Sequence, residues 1–284
     1  MFARLHSVGA IDTCQPLTCA RSLADCPVAN QPLREAQIEA FQAAGFRRVG
    51  EGVSAELEIS GDAWLGADTL RRLAAEATPV KVFDAAGFWL ASIHSPPTAG
   101  AAFWTVADSF RIRYPWDLLR VQEVRMAEMT LSAVEGVVSP GVTVDGVLRL
   151  GAGSRILPGV YIEGPVSIGR NCKIGPNCYL RGPVSIGDGG VIGQGVEVKN
   201  SILGRECRLC HLSYCGDSIL GDRVNFGGGT ITANVRHDGR PHRTPVGGVS
   251  VETGRLKLGA IIGDDVHTGI HTSLYPGRKL WPGV

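Results

Sequence analysis

The 284-residue sequence predicts a mainly β protein, a parallel β-helix of hexapeptide repeats preceded by a small α/β domain. Three observations carry this. Every sixth residue from Val144 to Val198 is aliphatic: Val144, Leu150, Ile156, Ile162, Ile168, Ile174, Leu180, Ile186, Ile192 and Val198. The 38 glycines concentrate after about residue 136, and glycine directly follows five of those ten positions. Before residue 130, helical and strand-like patterns alternate instead. The expected domains are therefore 1–130 and 131–284.

The elements follow in order. QPLREAQIEAFQAAGFRRV reads as a helix, with Ile38, Phe41 and Ala44 on one face and Gly45 near its end. DTLRRLAAEA reads as a second helix, with Asp68 as its candidate N-cap. KVFDAAGFWLASI reads as a strand hairpin. PWDLLRVQEVRMAEM reads as a third helix behind Pro115, with an apolar stripe through Leu118, Leu119, Val121 and Val124. Then the hexads begin. Three short strands make one triangular coil, and each aliphatic residue points inward onto its equivalents in neighbouring coils. The frame slips by one and resumes at Leu203, Leu209 and Cys215. It slips again at Leu220, Phe226 and Thr232, and returns after a break at Ile262, Thr268, Leu274 and Leu280. The break, residues 235–257, is polar and rich in Gly and Pro, so it must protrude as a long loop.

A formal net charge of +1 gives no electrostatic reason to expect nucleic acid or an anionic membrane. The opening residues hold no long apolar run, so neither a signal peptide nor a membrane span is expected, and the cytosol is the expected compartment. The eight cysteines then read as reduced thiols. Register places Cys172, Cys178 and Cys207 at the small inward position and Cys215 at the aliphatic one, which favours core packing. The run Cys207 to His211 also matches a haem-attachment spacing. Zinc at Cys207 or Cys210 with His237, His242, His267 or His271, and a redox pair, are the other readings.

The stretch HLSYCGDSILGDRVNFGGGTITANV, with GRLKLGAIIGDDVHTGI after it, resembles the acetyltransferase domain of the bifunctional N-acetylglucosamine-1-phosphate uridyltransferase/glucosamine-1-phosphate acetyltransferases and their archaeal sugar-phosphate nucleotidyltransferase relatives. The resemblance covers residues 140 to 284 and implies a left-handed β-helix that assembles as a homotrimer with sites between subunits. It places the catalytic histidine at His211, with Ser213 and Tyr214 after it. It puts the sugar phosphate between Arg181 and Lys199, eighteen residues apart, with Glu197, Tyr214, Asn225, Asn234 and the loop residue Arg240 as further substrate contacts. It implies acetyl-CoA as co-substrate, met by Gly227, Gly228, Gly229, Ile270 and Arg278, with no metal.

The chemistry is coherent without the family. Residues one coil apart project from one face, so Arg181 and Lys199 can clamp a phosphate. Acyl transfer to an amine needs a base, and histidine suits neutral pH. A backbone N–H of the glycine run can stabilise the oxyanion. The N-terminal part resembles a degenerate nucleotidyltransferase domain. VGAIDTCQ lacks the glycine-rich phosphate loop, and Thr13 and Leu23 stand where the loop arginine and catalytic lysine should be. Asp62 reads as a relic of a metal-binding Asp. No nucleotidyl transfer is expected. The chain also stops at Val284, earlier than the family pattern, so the coenzyme half of the site is expected to be shortened. The expected function is a CoA-dependent N-acyltransferase acting on an amino-sugar phosphate such as glucosamine-1-phosphate. The alternatives are a non-catalytic sugar-phosphate or sugar-nucleotide binding paralogue and a structural partner of a full-length homologue.

Overall fold

The computed structural model describes residues 1–9, 11–94 and 101–284. The chain divides into two units. One comprises residues 1–11, 21–26 and 31–113, and the other 12–20, 27–30 and 114–284.

In the first unit, one six-stranded sheet runs in the order Arg47–Arg48, Phe2–Leu5, Leu57–Ile59, Trp89–Ile93, Val80–Phe83, Ala102–Thr105. The hairpin read from KVFDAAGFWLASI is present, with Val80 opposite Ile93 in antiparallel register. Helix α1, Leu33–Ala43, buries Leu33, Ile38 and Phe41, and Gly45 beyond it adopts a φ of +92° that favours glycine. Helix α2, Ala67–Ala74, corrects one expectation. Its N-cap is Gly66, and Asp68 lies within the first turn, paired with Arg71. The capping acceptor comes from elsewhere in the chain: Asp108 Oδ2 takes the Thr69 N–H at 3.1 Å, and Ser109 Oγ takes that of Gly66 at 2.9 Å.

The second unit is a parallel β-helix, consistent with the left-handed form that the resemblance implies. Among the described residues, its three faces are parallel sheets of eight, six and seven strands. The predicted stacking holds through both slips: Ile186 pairs with Leu203 and Leu203 with Leu220, Ile192 with Leu209 and Leu209 with Phe226, and Val198 with Cys215. After the break, Thr232 pairs with Leu274 and Ile262 with Leu280. The inward residues form one continuous core from Leu148 to Leu274. Cys172, Cys178, Cys207 and Cys215 are all part of it. The Cys207 thiol is wholly enclosed and donates to the Gly221 carbonyl at 3.1 Å, which leaves it unavailable for a haem thioether. No group of three or more His, Cys, Asp or Glu among the described residues is arranged to hold a metal.

The three faces differ outside. The first face runs through Val166–Ile168, Val184–Ile186 and Ile202–Leu203, and these three strands are buried on both sides. Helix α3, Pro115–Ala127, is the cover. Read from sequence as part of the N-terminal half, it groups with the β-helix. Its Gln122 is fully buried. The amide donates to the Ser201 and Pro183 carbonyls at 3.0 and 3.2 Å and accepts from Ser185 Oγ and the Ala29 N–H. The second face leaves Arg155, Lys173 and Arg208 exposed. The third carries Tyr161, Tyr179, Arg181, Glu197, Lys199 and Tyr214. The inserted segment contains an antiparallel hairpin, Arg243–Val246 with Val249–Glu252, turned by Gly247 and Gly248 at φ +56° and +80°. No helix among the described residues is long and apolar enough to cross a membrane.

Candidate functional site

The third face brings much of the predicted site together. Arg181 and Lys199 are direct cross-strand partners, and Tyr179, Glu197 and Tyr214 form the adjacent row. Parallel neighbours lie about 4.8 Å apart, so these side chains stand as a two-row array. Arg181 pairs with Glu197 at 2.9 Å and sits over the Tyr179 ring at 5.5 Å. Lys199 Nζ contacts Asp217 Oδ2 at 3.1 Å. Asn234 Nδ2 donates to the same Oδ2 at 2.5 Å and to the Tyr214 hydroxyl at 3.0 Å. Burial, with the negative charges of Asp217 and Glu197, pushes the Tyr214 phenol up from its ordinary value, so it is neutral at physiological pH.

Asp217 is the residue that the motif reading passed over. Its side chain is 2% exposed, and it joins Lys199, Asn234 and Asn200. The available signal was its position: it falls at the second slip of the hexad frame, directly after Gly216.

His211 closes the strand Arg208–His211 of the second face, at the corner leading to the third. It is exposed, in register with Gln194, and its ring makes no hydrogen bond or ion pair among the described residues. The glycine run passes one coil above. Gly229 N–H donates to the His211 carbonyl at 3.0 Å, and Gly227 N–H donates to Thr268 Oγ1 at 3.0 Å. That leaves the Gly228 N–H as the donor of the run with no partner among the described residues. A Cβ at Gly228 would meet only the His211 Cβ, at 3.5 Å.

Other candidates stand apart from this group within one chain. Asn225 lies on the second face in register with Arg208, its backbone tied to Val266 and Thr268. Arg240 is exposed on the inserted segment, near Asp238. Ile270 is 77% exposed. Arg278 lines a cavity of about 670 Å³ with Lys279, Trp281, the Gly247–Gly248 turn and the segment holding Asp12, Thr13 and Gln15. Burial pulls the Lys279 ammonium below its ordinary value. In the first unit, Asp62 is buried and engaged by Arg111 at 2.6 Å and Ser60 at 2.5 Å.

Comparison with known proteins finds relatives of the β-helix. Residues 156–275 match the GMPPB C-terminal domain. The chain is 52% identical over 169 residues to a Methanococcus maripaludis bifunctional protein GlmU, covering 60% of this chain and 41% of that one. It is 46% identical over 89 residues to a Sulfurisphaera tokodaii bifunctional sugar-1-phosphate nucleotidylyltransferase/acetyltransferase, covering 31% and 22%. A Methylibium petroleiphilum bifunctional protein GlmU is 43% identical over 94 residues, or 33% and 16%. The matched segments thus span less than half the length of these relatives. In sequence, the β-helix of this chain is similar to the acetyltransferase-type part of the bifunctional GlmU proteins.

Proposed function

We propose that the β-helix transfers an acetyl group from acetyl-CoA to the amine of an amino-sugar phosphate such as glucosamine-1-phosphate. One observation carries the reading: Arg181 and Lys199 are register partners on one face, and Lys199 connects through Asp217 to Asn234 and Tyr214. Two cations at one strand spacing suit a phosphate, and the amide and phenol beside them suit sugar hydroxyls. Both cations already face carboxylates. Bound phosphate competes with the half-exposed Glu197 for Arg181, whereas Lys199 stays beside buried Asp217.

The acceptor ammonium gives its proton to His211. The amine nitrogen then bonds to the thioester carbonyl carbon, the C–S bond breaks, and coenzyme A leaves as the thiol with a proton. The Gly228 N–H, above His211 and without a partner among the described residues, suits the developing oxyanion. The cavity lined by Arg278 and Lys279 suits the phosphate-bearing end of the coenzyme, since an anion there relieves a desolvated ammonium. Exposed Ile270 offers an apolar contact to its acyl-bearing arm. In this reading the protein works in the cytosol as a homotrimer. The first face is already covered by α3, so neighbouring subunits would meet on the second and third and bring Asn225 and Arg240 into play. Nucleotidyl transfer is not part of the proposal. Asp62 is committed to Arg111, and residues 12–20 group with the β-helix.

The test is thiol release from acetyl-CoA with glucosamine-1-phosphate, beside His211→Ala. Loss of a general base should lower the rate by at least about 10²-fold. Wild-type protein that releases no thiol, yet is thermally stabilised by glucosamine-1-phosphate, would replace the enzyme with a sugar-phosphate binder. Pyrophosphate release from UTP and a sugar phosphate should be absent.

A further inference from the structure

We infer that Asp217 is a positioning residue for the acceptor site, holding Lys199 and Asn234, and through Asn234 the Tyr214 hydroxyl, in a single geometry. The inference rests on the acceptor reading above. Its basis is the way three donors converge on one enclosed carboxylate. Oδ2 accepts from Lys199 Nζ at 3.1 Å and Asn234 Nδ2 at 2.5 Å, and Oδ1 accepts from Asn200 Nδ2 at 2.9 Å. An ionised carboxylate is acceptor-only, so it can serve all three donors at once. An amide in its place must turn an N–H₂ toward at least one of them.

The carboxylate cannot drift. The Asp217 N–H donates to the Lys199 carbonyl, and its own carbonyl accepts from the Gly259 N–H, both at 2.8 Å. Asn200, one coil below, ties the group to helix α3 by donating to Glu123 Oε1 at 3.0 Å. Glu123 in turn pairs at 2.5 Å with Arg255, at the base of the inserted segment. The Lys199 ammonium sits on a flexible four-carbon stem and is a point charge without directional preference, so its aim must come from a fixed partner.

Charge and positioning make opposite forecasts here. A carboxylate beside a phosphate site repels the dianion, so charge alone says that Asp217→Asn tightens binding. Positioning says that it weakens binding of the sugar phosphate, whose hydroxyls need Asn234 and Tyr214, while free phosphate, which needs only the cations, is spared. Calorimetry on the 284-residue chain should give a glucosamine-1-phosphate Kd about tenfold weaker in Asp217→Asn. The Kd for inorganic phosphate should be unchanged or tighter. In turnover, the KM for the acceptor should rise with the KM for acetyl-CoA unchanged, a split that partial unfolding does not produce. In a Lys199→Met background, Asp217→Asn should cost less than it does alone. Unchanged or tighter glucosamine-1-phosphate binding in Asp217→Asn, or full additivity with Lys199→Met, overturns the inference and leaves the acceptor reading standing. Wild-type protein that binds no glucosamine-1-phosphate overturns both. Asn200→Gly removes one anchor without touching the carboxylate. It should shift the sugar-phosphate Kd the same way by about threefold, and it serves as the test if Asp217→Asn does not fold.

Discussion

The corners between the third and first faces come in two kinds. In the lower coils they read Gly164-Pro165 and Gly182-Pro183, after Glu163 and Arg181. In the upper coils they are one residue shorter, Asn200 and Asp217 alone after Lys199 and Gly216, and Ser201 and Ser218 take the strand position that Val184 holds below. The lower corners present no polar side chain. The upper ones place Asn200 and Asp217 at φ +42° and +49°, a region that Asn and Asp tolerate better than most residues. Their buried serines take over the backbone bookkeeping: Ser201 Oγ donates to the Lys199 carbonyl at 2.7 Å and accepts the Ser218 N–H at 3.0 Å. The polar group of the candidate site sits where the repeat drops a residue. Departures from a regular pattern are where function is expected to show.

The sharpest way to separate scaffold from site uses two adjacent glycines. A Cβ at Gly227 would lie 2.4 Å from the Gly269 backbone of the next coil, whereas one at Gly228 has room. Gly227→Ala should therefore destabilise the protein by about 3 kcal/mol, read as a lowered Tm. Gly228→Ala should change stability by less than about 0.5 kcal/mol. It should nonetheless lower thiol release by about tenfold, because its methyl sits over His211 beside the unused N–H. Equal losses of stability would place Gly228 in the scaffold and remove it from the site.

The same division governs what could be read in advance. The inward residues were legible because one rule, repeated in every coil, fixes their direction; Ile174 and Leu209 needed no distant information. Helix α3 was legible as a helix but not as the cover of the first face, since nothing local in PWDLLRVQEVRMAEM says that Gln122 meets Ser185 and Ser201. The cap of α2 failed for the same reason: Asp108 arrives from 39 residues away. At the candidate site, Arg181, Lys199, Tyr214 and Asn234 were singled out through the family resemblance and its spacing. Asp217 was not, although it stood in the same stretch, because its importance lies in how many donors meet there rather than in spacing.

A smaller effect separates the core thiols from the two more accessible ones. Burial pushes Cys178 to about 11 and Cys215 to about 12, from 9.0, and raises Cys207 further. These thiols stay protonated in the folded chain. Their stabilising contribution is whole below pH 9.0, where the unfolded thiol is also protonated. It is lost as pH rises above that value, because only the unfolded chain then releases protons. Each protected thiol should cost about 1 kcal/mol at pH 10, visible as a falling Tm that Cys215→Ala flattens relative to its own neutral value. Thiol reagents at pH 8 should label exposed Cys19 first and half-buried Cys210 next, with the core thiols reacting only on unfolding. Rapid labelling of Cys207 in folded protein would contradict its place in the core.

The smallest expected change returns to the shortened corner. Asn200→Gly keeps a backbone at φ +42° that glycine accepts, whereas Asn200→Ala would add strain there. The substitution removes the amide bonds to Asp217 and Glu123. It also removes a buried Oδ1 that has no partner among the described residues, so part of the lost hydrogen bonding is offset. Net stability should move by less than about 1 kcal/mol, while the roughly threefold weakening of sugar-phosphate binding remains, because Asp217 keeps its place but loses a brace. An asparagine that served only to turn the corner would show the reverse, an unaltered Kd with a displaced Tm. The short corner would then be a folding device, and the site would owe its geometry to Lys199, Asp217 and Asn234 alone.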